Sequence, residues 1–300
     1  MKKSNSNCEL CESLRGLNQH LYEVGKIGEL LSNSLQYEEE DGARVIDTFD
    51  ISQWLTLSSQ LESVDINMWK FAGSDGTWCR PAAEMYDSDS KHYSLYCTSL
   101  TKFIYTYNVL EELFKYLHPY TKNVKQLSKV RSHSIRAAML LGNEKNLVTP
   151  SHSQHFFNSF TNTFKVYNNR FNKSVTFKIE DDSVSYALDN LRVLRNHIAH
   201  GTFPIASNPD YSSSSNEMQL LCVLLAKATR CIGLYIQIIY LNYNQGFRNI
   251  GGLFVDTIEP NNVEKFLLSH LTSLHLETDF GLNPEQFSLW EDQIIESNLN

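Results

Sequence analysis

A succession of helix-period apolar segments between residues 99 and 244 constrains the fold of this chain most strongly. Apolar side chains recur at three- and four-residue spacing in residues 99–117, 124–141, 151–168 and 182–200. Residues 217–244 are hydrophobic over most of the helix circumference, which is typical of a buried or interface helix. Residues 174–179 are strand-like but too isolated to predict a sheet. The pattern therefore predicts an all-α fold, in which these segments form a helical bundle.

Further helical segments flank the predicted bundle. Residues 1–35 and 51–69 have helical periodicity, and two short acidic helices are predicted after residue 251. The acidic stretch at residues 38–42 is predicted to be a solvated loop, and residues 81–90 an irregular connection. Three regions follow, namely an N-terminal helical region of unknown role, the bundle and a C-terminal acidic helical extension. Their predicted boundaries are residues 1–96, 97–245 and 246–300.

The composition allows a large core but no general basic surface. With 300 residues, 42% of them hydrophobic, the chain can bury a substantial interior. Its formal net charge of −8 argues against a surface that coats nucleic acid without specificity. A local basic groove stays compatible with this charge, because binding depends on the local patch rather than on the sum.

The sequence predicts a cytoplasmic protein without a membrane segment. Residues 1–7 are polar and no apolar signal segment follows them. The longest apolar stretch, residues 218–240, is interrupted by charged and polar side chains. We therefore expect the six cysteines to be reduced.

A CxxC pair near the start, Cys8 and Cys11, raises the question of a zinc site. Two more ligands would be needed, and the sequence has no second CxxC. Cys79 with His92 or Cys97 could supply them, but their spacing fits no known zinc knuckle. We expect a pair of reduced thiols, no metal and no other cofactor.

The segment with the clearest chemistry runs from Leu194 to Gly201, at the end of a predicted helix. Arg195 is a permanent cation that can grip a phosphate with two parallel donors. His200 can move a proton near neutral pH, and the helix C-terminus favours its charged form. Asn196 can fix a phosphate oxygen or orient His200. Arg195 and His200 are about 140° apart on an ideal helix, but the long arginine and the terminal position of the histidine still allow both to reach one ligand.

This Arg-Asn-x₃-His pattern resembles the signature of the HEPN superfamily, and the resemblance covers roughly residues 97–245. It implies a helical bundle with the motif on a late helix, followed by a long last helix. It also implies a metal-independent endoribonuclease of prokaryotic antiphage defence or of a toxin–antitoxin system. Such proteins often form homodimers with one composite site, so RNA, a second copy and an antitoxin or other defence protein are the expected partners.

The resemblance also implies a mechanism. The 2′-OH of the RNA attacks the adjacent phosphorus, and His200 moves a proton from this hydroxyl or to the 5′-oxygen. Arg195 stabilises the charge that grows on the phosphate. The products are a 2′,3′-cyclic phosphate and a 5′-OH, and DNA, which lacks the 2′-OH, is not cut.

Other polar residues have competing interpretations. A basic group could guide the RNA backbone or simply form an exposed helix face; it comprises Lys122, Lys125, Lys129 and Arg131. Glu111 and Glu112 lie where some HEPN proteins place an acidic site residue, but such a pair is more often solvated. His197 points away from the expected site, and His152 and His155 have no carboxylate at metal-ligand spacing.

Two functional hypotheses follow from the sequence. A nuclease predicts that Arg195 and His200 line an open cleft at a two-fold interface. A catalytically inactive module that binds RNA, a nucleotide or a partner protein predicts that the pair lies in ion pairs or faces solvent. The last helix offers a discriminating observation, because an apolar stripe left uncovered there would suit a second copy.

Overall fold

The fold was analysed in a computed structural model. It describes residues 16–30, 36–39, 42–45, 48–74, 78–117, 120–121, 124, 126–127, 129–144, 146–150, 153–173, 184–211 and 216–243. Within these residues the elements are α1 (Leu17–Leu30), β1 (Gln36–Glu39), β2 (Gly42–Val45), α2 (Thr48–Gln60), a 3₁₀ helix (Met68–Phe71), α3 (Arg80–Tyr116), α4 (His133–Asn143), α5 (Ser153–Arg170), α6 (Val184–Ala199) and α7 (Glu217–Tyr243). The fold class is therefore all-α, with one small hairpin, as the sequence predicts.

Helix α7 is the centre of the molecule. Its side chains from Leu220 to Tyr240 are buried within the chain, and α1, α3, α5 and α6 pack around it. By length and composition this helix could cross a membrane, and it is the only such helix among the described residues. Because it is buried inside the protein, it has the character of a core helix and leaves no apolar stripe for a second copy.

The N-terminal helices pack onto this centre. Leu17, Leu21 and Val24 of α1 belong to the same hydrophobic core as the buried side chains of α7. Nε2 of His20 donates to Oε1 of Gln237 at 2.7 Å, deep in the same interface. Helices α1 and α2 lie in the two segments predicted to be helical within residues 1–69, and residues 1–15 and 31–35 are outside the described part of the chain.

Two short paired strands contain part of the solvated loop predicted at residues 38–42. Strand β1 pairs antiparallel with β2, with Gln36 opposite Val45 and Glu39 opposite Gly42. The loop prediction is wrong for Glu38, Glu39 and Gly42 because it weighed only the acidic side chains, and residues 40–41 lie outside the described residues. The ladder satisfies the backbone N–H and C=O groups whatever the side-chain charge.

Helix α3 is longer than the sequence indicates. It has 37 residues and begins at Arg80, so the irregular connection predicted at residues 81–90 is wrong. Pro81 lies in the first turn of α3, where its missing N–H costs no intrahelical bond. The predicted boundary between residues 96 and 97 falls inside this continuous helix.

Helix α4 begins later than predicted. Its first residue is His133, not Val124, and Ser132 caps it by accepting a bond from the N–H of Ile135 at 3.4 Å. Helices α5, α6 and α7 start and end within a few residues of their predictions. The acidic extension at residues 246–300, the strand-like residues 174–179 and the predicted caps of α6 at residues 181–183 lie outside the described residues.

Candidate functional site: a cleft between α3, α4 and α6

The motif residues lie at the C-terminal end of α6, where a glycine-dependent cap ends the helix. Gly201 has a φ of +65°, in the left-handed region that the sequence predicts for this position. The N–H of Thr202 donates to the carbonyl of His197 at 2.8 Å, and the N–H of Gly201 donates to that of Ile198 at 3.1 Å. This pair of bonds is a Schellman cap, which fixes the end of the helix that carries the motif.

A cleft of about 350 Å³ lies between α3, α4 and α6. Its walls consist of Tyr107, Glu111, Phe114 and Lys115 from α3, Ser132, His133 and Ser134 from the start of α4, and Arg192, Arg195 and Asn196 from α6. The structure therefore places two of the three predicted catalytic residues, Arg195 and Asn196, in one concave site.

Arg195 bridges two walls of this cleft. Its Nη2 lies 2.8 Å from Oε1 of Glu111 on α3, and its guanidinium carbon is 5.9 Å from the ring centre of Tyr107. The side chains of Arg195 and Glu111 remain 40% and 37% exposed, so a ligand can reach both. Burial, together with the Glu111 carboxylate, raises the pKa of Tyr107 well above its usual range, so the phenol stays protonated.

Two further cations line the cleft, each with its own carboxylate. Arg192 donates from Nε to Oδ1 of the buried Asp189 at 2.6 Å, within α6. Nζ of Lys115 lies 2.6 Å from Oε1 of Glu112, within α3. Each cation of the cleft therefore has a carboxylate within 2.8 Å, and an anionic ligand has to compete with a carboxylate for whichever cation it contacts.

The first turn of α4 forms the third wall. Ser132 occupies the cap position, and His133 and Ser134 follow it in the first turn. A helix start directs unpaired N–H groups and the positive end of the helix dipole outward. In this cleft that end lies among the cationic side chains of α3 and α6, so both contributions favour the same ligand charge.

His200 lies outside this set. It is exposed, follows the last residue of α6, and is not among the described residues that line the cleft. Its N–H donates to the carbonyl of Asn196 at 3.0 Å, so the backbone is fixed while the ring faces solvent. The expectation that Arg195 and His200 meet in one cleft is wrong within a single chain. The five-residue separation turns them to different sides of α6, and the cap keeps them there.

The other predicted residues divide between the cleft and the scaffold. Glu111, whose role the sequence left open, contacts Arg195, whereas Glu112 pairs with Lys115. Nδ1 of His197 forms a hydrogen bond with the hydroxyl of Tyr167 at 3.0 Å. Burial, with a smaller effect of Lys173, lowers the pKa of His197, which fits a packed, neutral ring rather than an acid or base.

The predicted basic group is only partly described. Lys129 and Arg131 are exposed in the segment that leads into α4. The sequence predicts a helix at both residues, but neither is helical. Lys122, Lys125 and His152 lie outside the described residues, as do Cys8 and Cys11. Arg131 directly precedes Ser132 and His133, which line the cleft, but does not line it itself.

Sequence reasoning missed His133, Arg192 and Tyr107. A weak signal existed on each helix, because Arg192, Arg195 and Asn196 are spaced to share one face of α6, and Tyr107, Glu111 and Lys115 one face of α3. Nothing in the sequence indicates that the start of α4 meets both faces.

The described part of the chain holds no group of three or more His, Cys, Asp or Glu side chains placed to bind a metal ion. No family model, no curated protein and no solved structure matches the sequence or the fold.

Proposed function

We propose that this protein is a cytoplasmic, metal-independent endoribonuclease of the HEPN type, with its site in the cleft between α3, α4 and α6. One observation carries the proposal. Arg195 and Asn196, the first two residues of the motif, line the same cleft as the start of a helix. A guanidinium group and a helix N-terminus both bind phosphate. During cleavage of a phosphodiester, such groups neutralise the negative charge that grows on the phosphate oxygens.

Binding of RNA requires Arg195 to change partners. In the structure its guanidinium pairs with Glu111 across the cleft. An exposed pair of this kind contributes about 0–1 kcal/mol, so a phosphate with a bidentate grip can replace the carboxylate. Glu111 then serves as the group that holds Arg195 in place before RNA arrives.

Cleavage follows the route that the HEPN resemblance implies. The 2′-oxygen bonds to phosphorus, the bond to the 5′-oxygen breaks, and Arg195 stabilises the extra charge on the phosphoryl oxygens. Asn196 donates to one of these oxygens. The products are a 2′,3′-cyclic phosphate and a 5′-OH, and the biological setting would be antiphage defence or a toxin–antitoxin system with a partner protein.

A homodimer with a composite site is part of this proposal, and it has a structural requirement. His200 is exposed outside the cleft, so it can act on RNA held by Arg195 only if it comes from a second copy or if the RNA extends to it. Since α7 is buried in its own chain, the interface lies on another surface, and to bring His200 of one copy to Arg195 of the other it has to include the C-terminal end of α6.

A catalytically inactive RNA-binding or partner-binding module is the second candidate. Two observations favour it, because Arg195 lies in an ion pair and His200 faces solvent. This module would bind the same anionic ligand in the same cleft, without cleavage.

Product analysis separates the two candidates. Mixed single-stranded RNA and a DNA of the same sequence are incubated with the protein in EDTA, and the RNA ends are identified by mass spectrometry. The nuclease produces 2′,3′-cyclic phosphate and 5′-OH ends from RNA and leaves DNA intact. RNA that is bound but not cut supports the inactive module, and cleavage of DNA contradicts the proposed chemistry.

A further inference from the structure

We propose that His133, rather than His200, protonates the leaving 5′-oxygen during RNA cleavage, an inference that rests on the proposed function. His133 is the first residue of α4 and lines the same cleft as Arg195. The motif and the HEPN resemblance both direct attention to α6, and neither assigns a role to α4.

The position of His133 suits a proton donor. Transesterification of RNA needs one group that neutralises the phosphate and another that gives a proton to the leaving oxygen. Arg195 and His133 come from different walls, α6 and α4, of one cleft. A phosphodiester between the two walls has its charged oxygens toward the guanidinium and a bridging oxygen toward the imidazole.

The surroundings of His133 determine its charge. The cations of the cleft are each paired with a carboxylate, Lys115 with Glu112, Arg192 with Asp189 and Arg195 with Glu111, and the phenol of Tyr107 is neutral. A bound phosphodiester adds a negative charge among these groups, which favours the protonated imidazole that the reaction requires. Because His133 is exposed at the edge of the cleft, it can regain its proton from water after each turnover.

The proposed step balances without a metal or another reagent. The 2′-hydroxyl loses its proton to water, and its oxygen bonds to phosphorus. The bond from phosphorus to the 5′-oxygen breaks, and the imidazolium of His133 donates its proton to that oxygen. Neutral His133 then takes a proton from solvent, which restores the starting state.

A substrate with sulfur in place of the bridging 5′-oxygen tests this step directly. A thiolate leaves without a proton, so the loss of a general acid does not slow its departure. Wild-type protein and the variants Arg195→Ala, His133→Gln and His200→Ala are compared on ordinary RNA and on the sulfur-containing RNA. His155→Gln is the matched control, since His155 is an exposed histidine on α5 outside the cleft lining.

The expected result is a 10²- to 10⁴-fold loss for His133→Gln on ordinary RNA, in line with the contribution of a general acid, and near wild-type cleavage of the sulfur-containing RNA. Circular dichroism checks that the variant is folded, and His133 is exposed enough to be replaced without loss of packing. An equal loss on both substrates overturns the assignment as acid, as does wild-type cleavage of ordinary RNA.

Failure of the inference is distinguishable from failure of the proposed function. If Arg195→Ala is inactive and His133→Gln is not, the nuclease stands and the assignment of His133 falls. If His200→Ala alone shows the sulfur-dependent rescue, the motif histidine is the acid, and His133 is not. If the wild-type protein cuts neither substrate, both proposals are wrong.

Discussion

Arg195 and Glu111 join two walls of the cleft, with Nη2 of the arginine 2.8 Å from Oε1 of the glutamate. The two residues are 84 positions apart in the sequence, on α6 and α3. The contact orients the motif arginine toward the cleft, and it also occupies the guanidinium that binds phosphate in the proposed function. If that proposal holds, Glu111 is both a support for Arg195 and a competitor of the RNA.

Replacement of Glu111 should separate these two effects. In Glu111→Gln the competing charge is lost, so we expect RNA to bind about two- to fivefold more tightly, the range that an exposed pair of about 0–1 kcal/mol allows. Fluorescence anisotropy with a 2′-O-methyl RNA, which cannot be cleaved by 2′-OH attack, measures the affinity.

The control for Glu111→Gln is Glu84→Gln. Glu84 also pairs with an exposed arginine, Arg80, at 2.8 Å, but neither residue lines the cleft. The variant Glu84→Gln should therefore leave the affinity for RNA unchanged. Weaker binding by Glu111→Gln would mean that the carboxylate contributes to binding rather than competing with RNA.

The salt dependence of binding should identify which cations contact the RNA backbone. Each phosphate contact with single-stranded RNA adds about 0.7 to the slope of log K against log salt. We expect Arg195→Ala and Arg131→Ala each to lower the slope by about this amount. Arg80→Ala, which removes an arginine outside the cleft lining, should leave it unchanged. An unaltered slope in Arg195→Ala would place the RNA elsewhere on the protein.

Three helices of the bundle were predictable nearly in full, including α6 of the cleft, whereas the starts of α3 and α4 and the cleft itself were not. Three- and four-residue apolar spacing predicts α5, α6 and α7, because each buries one face or its whole circumference. Gly201 and the Arg195–Asn196 pair were identifiable because a cap and a phosphate-binding arginine both depend on local sequence. His133 was not, since its role depends on how the start of α4 packs against two helices that lie far from it in the chain.

Two prediction errors share one cause. The irregular connection at residues 81–90 and the loop at Glu38, Glu39 and Gly42 were both predicted from local propensity alone. A proline in the first helical turn is compatible with α3, and backbone pairing forms the β1–β2 hairpin. Local signals mark where an element is free to begin or end, and packing decides whether it does.

Stability should fall in acid because of His20. Burial, and then the charge of Arg230, lowers the pKa of His20 from 6.5 to about 3, although the hydrogen bond that His20 donates to Gln237 acts in the opposite direction. Between these pH values the unfolded chain takes up a proton that the folded protein excludes. The contribution of neutral His20 to the stability of the folded protein is therefore complete above pH 6.5 and is lost as the pH falls toward 3.

Urea unfolding between pH 7 and pH 4 measures this effect. The free energy of unfolding should fall by up to about 1.4 kcal/mol per pH unit from this group. His20→Gln keeps a hydrogen-bonding side chain without the titration, so its pH dependence should be shallower than that of the exposed control His155→Gln. Equal slopes in the two variants would show that His20 is not excluded from protonation in the folded state.

The close approach of α1 to α7 depends on Gly233. A Cβ at this position would lie 2.8 Å from Cε1 of His20. We expect Gly233→Ala to destabilise the protein by about 1–3 kcal/mol, because the buried ring has to move, even though alanine favours a helix by about 1 kcal/mol. Thermal unfolding gives the change in Tm.

A double variant checks the cause of that destabilisation. In a His20→Ala background the ring is gone, so Gly233→Ala should cost much less there than in the wild-type chain. The same cost in both backgrounds would mean that the alanine disturbs α7 itself. Gly73→Ala, whose Cβ would meet nothing within 4 Å, is the control for a glycine substitution without a clash.

The most direct test of the central claim is the single-turnover rate of RNA cleavage in EDTA by Arg195→Ala, set against Arg80→Ala. Arg195 is claimed to stabilise the transition state in the cleft, so its loss should reduce the rate by about 10²- to 10³-fold. Arg80→Ala, which breaks an ion pair of the same length outside the cleft lining, should retain the wild-type rate. Wild-type cleavage by Arg195→Ala, or no cleavage by the wild-type protein itself, would contradict the account.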